Sequence, residues 1–220
     1  MDIKKISVME SVYGRNEKIS FGFNKILTDR KIFCVNVMGP PGAGKTTVLL
    51  WLAEKLNAPV FVIEGDIASD IDKRKLDERN IPAAQINTGG ACHLDADIVR
   101  DVFEKHGREF GGGYLFIENI GNLVCPAEFM IGEHKKLLVA SAADGSDKPY
   151  KYPLAFEKAD AILLNKCDLR GYVDFDPVYF MDGVRKLNET APVFEITAKN
   201  GTGLSEVINW VINTAKPVIG

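Results

Sequence analysis

The chain has 220 residues, of which 46% are hydrophobic, enough to fill the core of one large α/β domain. With 27 basic against 30 acidic side chains the net charge is −3, which excludes attraction of nucleic acid or anionic lipid by charge alone. Four cysteines, Cys34, Cys92, Cys125 and Cys167, are too sparse for a disulfide framework; with no early apolar run of bilayer length or secretory pattern, a cytoplasmic protein with reduced thiols is expected.

Residues 1–30 carry mixed charge and weak helical periodicity (Val8, Val12, Ile19, Phe23, Ile26, Leu27), which predicts an N-terminal helical lead-in to one domain over 31–220. Apolar, β-branched runs predict strands at 32–38, 60–63, 83–86, 114–118, 136–141, 160–165 and 193–197. Between them, apolar residues spaced by three or four predict helices at 45–56, 95–106, 176–188 and 204–214. Glycine, proline and charge at 107–114 and 141–153 predict loops. The alternation implies a three-layer α/β fold, with a mostly parallel central sheet of about seven strands flanked by helices.

Directly after the first strand comes "GPPGAGKTT", Gly39 to Thr47, which then opens a helix. This is the phosphate-binding loop of the P-loop NTPase fold in its required strand-to-helix context. Gly39, Gly42, Ala43 and Gly44 let the backbone curl so that its N–H groups face phosphate oxygens, aided by the helix N-terminus. Lys45 is expected at the β and γ phosphates, Thr46 on Mg²⁺, and Thr47 beside them.

Asn165, Lys166 and Asp168 in "LLNKCDL" follow another buried strand. A carboxylate at Asp168 accepts from both the ring N–H and the exocyclic amine of guanine, a pair that adenine does not offer, so GTP or GDP is expected. Lys166 would cover the base plane and Asn165 would tie the loop together. Ala198 and Lys199 end the next strand, where a backbone contact to the guanine oxygen is expected. In "LFIENIGNLVCP", Glu118 and Gly121 have the acid-x-x-Gly spacing of a segment that senses the γ-phosphate, with Glu118 on Mg²⁺ and the Gly121 N–H toward the phosphate. In "VIEGDIASDID", Asp66 is the candidate for a Mg²⁺-bound water or for orienting the attacking water; the alternative is a solvated acidic loop. Lys45, Asp66 and Glu118 are the catalytic candidates.

Cys92 and His93 follow a "TGG" loop, and Cys125 lies four residues beyond Gly121. Loops of open α/β folds gather at the carboxyl ends of the strands, so the three residues are candidates for one soft to borderline site, suited to Ni²⁺ or Zn²⁺ and unsuited to Mg²⁺. Three ligands leave such a site incomplete, and a two-fold homodimer would complete it. The alternative is that both cysteines are small apolar core residues and His93 a loop residue. Cys34 reads as core, and Cys167 fills the free position of "NKCD". His106 reads as the end of a helix before a C′ glycine, and His134 as solvated.

Taken in order, "GPPGAGKTT", "VIEGD", "INTGGACHLDA", "FIENIGNLVCPAEF", "DKPYKYP" and "NKCDL" closely resemble the hydrogenase nickel-incorporation GTPases, a family of the deviant phosphate-loop class. The resemblance covers nearly everything from about residue 30 onward, and "ENIGNLVCP" is its most specific part. It implies GTP hydrolysis and metal binding by Cys92, His93 and Cys125 at a nucleotide-dependent dimer interface. The implied partners are an accessory nickel chaperone and the hydrogenase large-subunit precursor. The chain departs from some members in having neither an N-terminal cysteine motif nor a histidine-rich tract, so nickel storage is not expected. Pro40 or Pro41 stands where dimeric relatives carry a signature lysine; Lys148 is an alternative source of a cation reaching across a dimer. A urease-type nickel GTPase is disfavoured because its Cys-Pro-His loop lacks a match at Cys92-His93. A regulatory GTPase with structural cysteines and a small-substrate P-loop kinase are further alternatives.

Overall fold

The computed structural model describes residues 3–65, 70–87, 89 and 93–220, with the backbone alone at 3–13 and 70–73. A long helix, α1 (Ile3–Asp29), leads into β1 (Ile32–Met38). There follow α2 (Lys45–Lys55), β2 (Val60–Glu64), α3 (Asp70–Asp77), β3 (Ala83–Gln85), α4 (Ala96–His106), β4 (Gly113–Glu118) and α5 (Cys125–Glu128). The second half holds β5 (Lys135–Ser141), α6 (Lys148–Lys151), α7 (Pro153–Lys158), β6 (Ala161–Asn165), α8 (Pro177–Leu187), β7 (Val193–Glu195) and α9 (Leu204–Ile219).

The seven strands form one sheet in the order β3-β2-β4-β1-β5-β6-β7, and every pairing is parallel. β1, β2, β4 and β6 are buried along their whole length, which is why they read as unbroken apolar runs rather than alternating ones. On one face Val48, Leu49 and Leu52 of α2 and Val207 and Val211 of α9 pack on the sheet. On the other, Phe23 and Leu27 of α1 join Val99 and Phe103 of α4, while Phe156 of α7 and Phe180 and Val184 of α8 cover β5 and β6. After β1 the chain crosses β4 to reach β2, whereas β5 lies on the opposite side of β1. The loop after β1 therefore sits at the switch point where open α/β sheets bind ligands.

The structure departs from the sequence expectations in a few places. Residues 141–153 are not an open loop. Ser141 caps a 3-10 turn by accepting the Ala143 N–H, and Pro149 and Pro153 stand in the first turns of α6 and α7, where the missing N–H has no helical partner to lose. α3 is short and mostly polar, with only Ile71 and the core residue Leu76 apolar, too few for periodicity to find. α9 runs to Ile219 rather than 214, with Pro217 inside its last turn. Helix α4 ends at His106 as expected, but Gly107 has φ −107°, so it is no left-handed cap; it is small because a side chain there would meet the Phe103 ring.

His134 is not solvated. Its ring stacks on Phe33 with centroids 5.4 Å apart, Nδ1 accepts the Cys34 N–H at 2.9 Å, and Nε2 lies 2.9 Å from Thr28 Oγ1. Burial, with the Lys135 charge adding to it, lowers its pKa to about 4.

Candidate nucleotide and metal-handling sites

The phosphate loop curls from Gly39 to Gly44 between β1 and α2. Gly44, at φ +99°, ends it, and a side chain there would strike the Asn165 amide, so glycine is required on both backbone and packing grounds. Lys45 is buried, with Nζ facing the Gly39 and Pro40 carbonyls at 3.3 and 3.4 Å; it thus stays over the loop that is to hold phosphate. The Thr46 hydroxyl donates to Glu118 Oε1 at 2.9 Å. Glu118 ends β4 and is the register partner of Glu64, which ends β2; both are nearly inaccessible. Two carboxylates at neighbouring strand ends repel unless a cation or a proton intervenes, and a hydroxyl with carboxylates is the hard-oxygen set Mg²⁺ takes. The residues present therefore fit that ion.

Beside this loop is a cleft of about 520 Å³. Gly42, Gly44, Thr47, Asn165, Lys166, Asp168, Ala198 and Lys199 all line it. Asn165 holds three segments: Nδ2 donates to the Ala43 carbonyl at 2.8 Å, and Oδ1 accepts the Lys166 and Ala198 N–H groups at 2.7 and 2.9 Å. The Ala198 N–H, expected at a guanine oxygen, would have to share or yield its bond to Asn165 to make that contact. Trp51 of α2 braces the same turn by donating its indole N–H to the Ala198 carbonyl at 2.8 Å.

The segment after β4 runs against the phosphate loop. Asn122 forms an isolated bridge with Gly39, and a side chain at Gly121 would come within 2.8 Å of Pro41 Cγ. Asn122 Oδ1 accepts the Val124 N–H at 2.8 Å, and the chain turns into α5, whose first residue is the half-buried Cys125. Phe129, immediately after α5, stacks on His93 with centroids 4.0 Å apart and planes 12° from parallel. The two metal-candidate loops thus meet at this ring pair. Cys92 and Asp66 lie outside the described residues. Among the described residues no three His, Cys, Asp or Glu side chains converge on one point. Cys34 is core, its thiol pushed well up by burial and by the Glu133 charge. Cys167 donates to the Leu164 carbonyl at 3.1 Å, its thiol also raised by burial. Lys148 opens α6 with Nζ 5.8 Å from the Tyr152 ring centre.

The model of the CobW/HypB/UreG nucleotide-binding domain matches residues 33–195. The chain belongs to that family. It is 39% identical over 210 residues to the hydrogenase maturation factor HypB of Azotobacter chroococcum mcd 1, covering 94% of this chain and 68% of that protein. The crystal structure of HypB from Helicobacter pylori in complex with nickel superposes with a TM-score of 0.88 at 30% identity, over 93% of this chain and 97% of that one. HypB from Archaeoglobus fulgidus gives 0.85 at 29% identity, over 92% and 99%. The fold expected from the motifs, an α/β P-loop sheet, is the fold of these HypB structures.

Against this HypB-like frame, sequence reasoning missed Glu64 and Trp51. Glu64 has a legible signal, since it ends the buried run "VFVIE" as Glu118 ends "YLFIE"; it stands beside the Asp66 expectation, which lies outside the described residues. Trp51 had none, because its partner is a backbone carbonyl 147 residues away. No helix among the described residues is long and apolar enough to cross a membrane.

Proposed function

We propose that this HypB-family chain is a GTP-hydrolysing nickel metallochaperone that assists insertion of nickel into the [NiFe]-hydrogenase active site. Gly39 to Thr47 bind the phosphates, Asp168 reads guanine, and Asn165, Lys166, Ala198 and Lys199 shape the base cleft. Thr46 and Glu118, with Glu64 beside them, would hold Mg²⁺, which supplies charge neutralisation at the phosphates. Lys45 steadies charge on the transferring group, while Asp66 orients water. Cys92, His93 and Cys125 carry Ni²⁺ as cargo, with Zn²⁺ competing for the same ligands. The acting form is a homodimer in the cytoplasm, its partners an accessory nickel chaperone and the hydrogenase large-subunit precursor.

One observation carries this reading: Gly121 packs against Pro41 of the phosphate loop, and Cys125 is four residues further on. A segment that follows the γ-phosphate must move the thiol, so nucleotide and metal affect one another reciprocally. The test is a Ni²⁺ titration with GDP and with a non-hydrolysable GTP analogue. Affinity is expected to differ between the two states, and Cys125→Ala to weaken Ni²⁺ at least about tenfold while leaving GDP affinity within about twofold. Unchanged metal affinity in that variant overturns the assignment of Cys125.

A further inference from the structure

Four buried polar side chains outside the sites above form a connected chain beneath residues 119–134. Asn36 of β1 is fully buried; its Oδ1 accepts from Asn119 Nδ2 at 3.1 Å and its Nδ2 donates to Glu133 Oε1 at 3.4 Å. Asn119 Oδ1 takes the Ile120 N–H at 2.9 Å, and Glu133 Oε2 takes the Ile131 N–H at 2.7 Å. Lys136, the register partner of Asn36 on β5, faces Glu133 Oε1 at 3.3 Å and donates to the Phe129 and Ala127 carbonyls at 3.0 and 3.4 Å. Three ammonium donors thus meet three acceptors.

An ion pair this deep is a poor device for stability alone, because desolvation offsets most of the attraction and apolar replacements do as well or better. What a fully satisfied network does supply is a single geometry. Its ends are informative. One is the Asn119–Ile120 peptide, between Glu118 and Gly121. The other is the pair of carbonyls at the far end of α5, which begins with Cys125; one of them belongs to Phe129, on which His93 stacks.

We propose that Asn36, Asn119, Glu133 and Lys136 are positioning residues that transmit nucleotide state from the end of β4 to the Cys125 and His93 loops. The inference rests on the nucleotide-switched metal reading above. The relay runs under the segment, while the tether from Gly121 to Cys125 runs along it. In this arrangement Lys136 grips the Ala127 and Phe129 carbonyls, and the relay requires a second one, set by the other nucleotide state, in which that grip is released.

The experiment is a Ni²⁺ titration with GDP and with the GTP analogue on the wild type and on the Glu133→Gln/Lys136→Met double variant, with melting temperature and amide hydrogen exchange over residues 125–131. Wild-type affinities are expected to differ about fivefold or more between nucleotides, as coupled sites do. In the double variant the ratio falls to within about twofold of unity and GDP affinity is unchanged; the melting temperature falls less than in Lys136→Met, because hydrogen bonds are lost but no charge is left buried alone. Lys136→Met by itself lowers the melting temperature by stranding Glu133. A stable double variant that keeps the full nucleotide dependence overturns the relay. Should wild-type metal affinity ignore the nucleotide, the metal-switch reading fails by itself and exchange decides the relay. Nucleotide-dependent protection at 125–131 that the double variant loses supports it; protection alike in both proteins, or in neither, overturns it.

Discussion

Asn165 shows how much one side chain decides at this site. A single amide satisfies a phosphate-loop carbonyl and two N–H groups of the base cleft, so the phosphate and base halves are held in one register by three hydrogen bonds. Each such bond contributes about 1 kcal/mol net, and losing the buried partner costs more than that. Asp168, which lines the same cleft, has a different task, since its proposed bonds are to ligand rather than protein. Replacing it with Asn exchanges one acceptor for a donor, which opposes the guanine amine and suits the 2-oxo group of xanthine. Asp168→Asn is expected to weaken GDP about a hundredfold and to make xanthosine diphosphate the better ligand, measured by competition with a fluorescent nucleotide. Retained guanine preference would remove Asp168 from the base pocket.

At the scale of elements, α1 is strapped to the segment that follows the metal-candidate loops. Asn16 donates to the Met130 carbonyl at 2.8 Å and accepts the Ala96 N–H at 2.9 Å, while Ser20 accepts the Gly132 N–H at 2.9 Å. Thr28 donates to the Asn24 carbonyl and lies against His134, whose other nitrogen receives the Cys34 N–H. The proton of His134 therefore sits on Nε2, and a second one on Nδ1 would point at the Cys34 N–H. Because the folded pKa of about 4 is below the unfolded value near 6.5, the native state binds fewer protons over that interval. Stability is full above about pH 6.5 and declines as pH falls toward 4, by about 1–2 kcal/mol between pH 7.5 and 5 after allowance for partial exposure of the ring. Urea midpoints at the two pH values should fall more for the wild type than for His134→Gln; equal falls would show that another group carries the effect.

For the whole molecule, the sheet order places the phosphate loop, the Glu64 and Glu118 carboxylates, the segment bearing Cys125 and the base cleft along one edge, at the carboxyl ends of the strands. In the proposed dimer that edge is the contact face, since three ligands per chain close a site only when a mate supplies more. Sedimentation velocity is expected to show monomer with GDP and dimer with the GTP analogue plus Ni²⁺, with Cys125→Ala diminishing the metal-dependent part. A mass unchanged by nucleotide and metal would place the switch within one chain.

The positions of the strands along the chain, their mostly parallel character, the phosphate loop and the candidate base-reading residues were legible in the sequence because each rests on local signals. These are continuous apolar runs of strand length, glycines at a strand-to-helix turn, and short motifs in a fixed order. What only the tertiary structure decided involves partners distant along the chain. Glu64 gained its place through its register with Glu118, Trp51 through a carbonyl 147 residues away along the chain, and His134 through a ring and an N–H contributed by β1. The buried set Asn36, Asn119, Glu133 and Lys136 is the sharpest case. Read singly, these residues are polar positions in or next to strands, and only the pairing of β1 with β4 and β5 turns them into one network, because hydrogen bonds between side chains are fixed by distance in space and leave no period in the sequence.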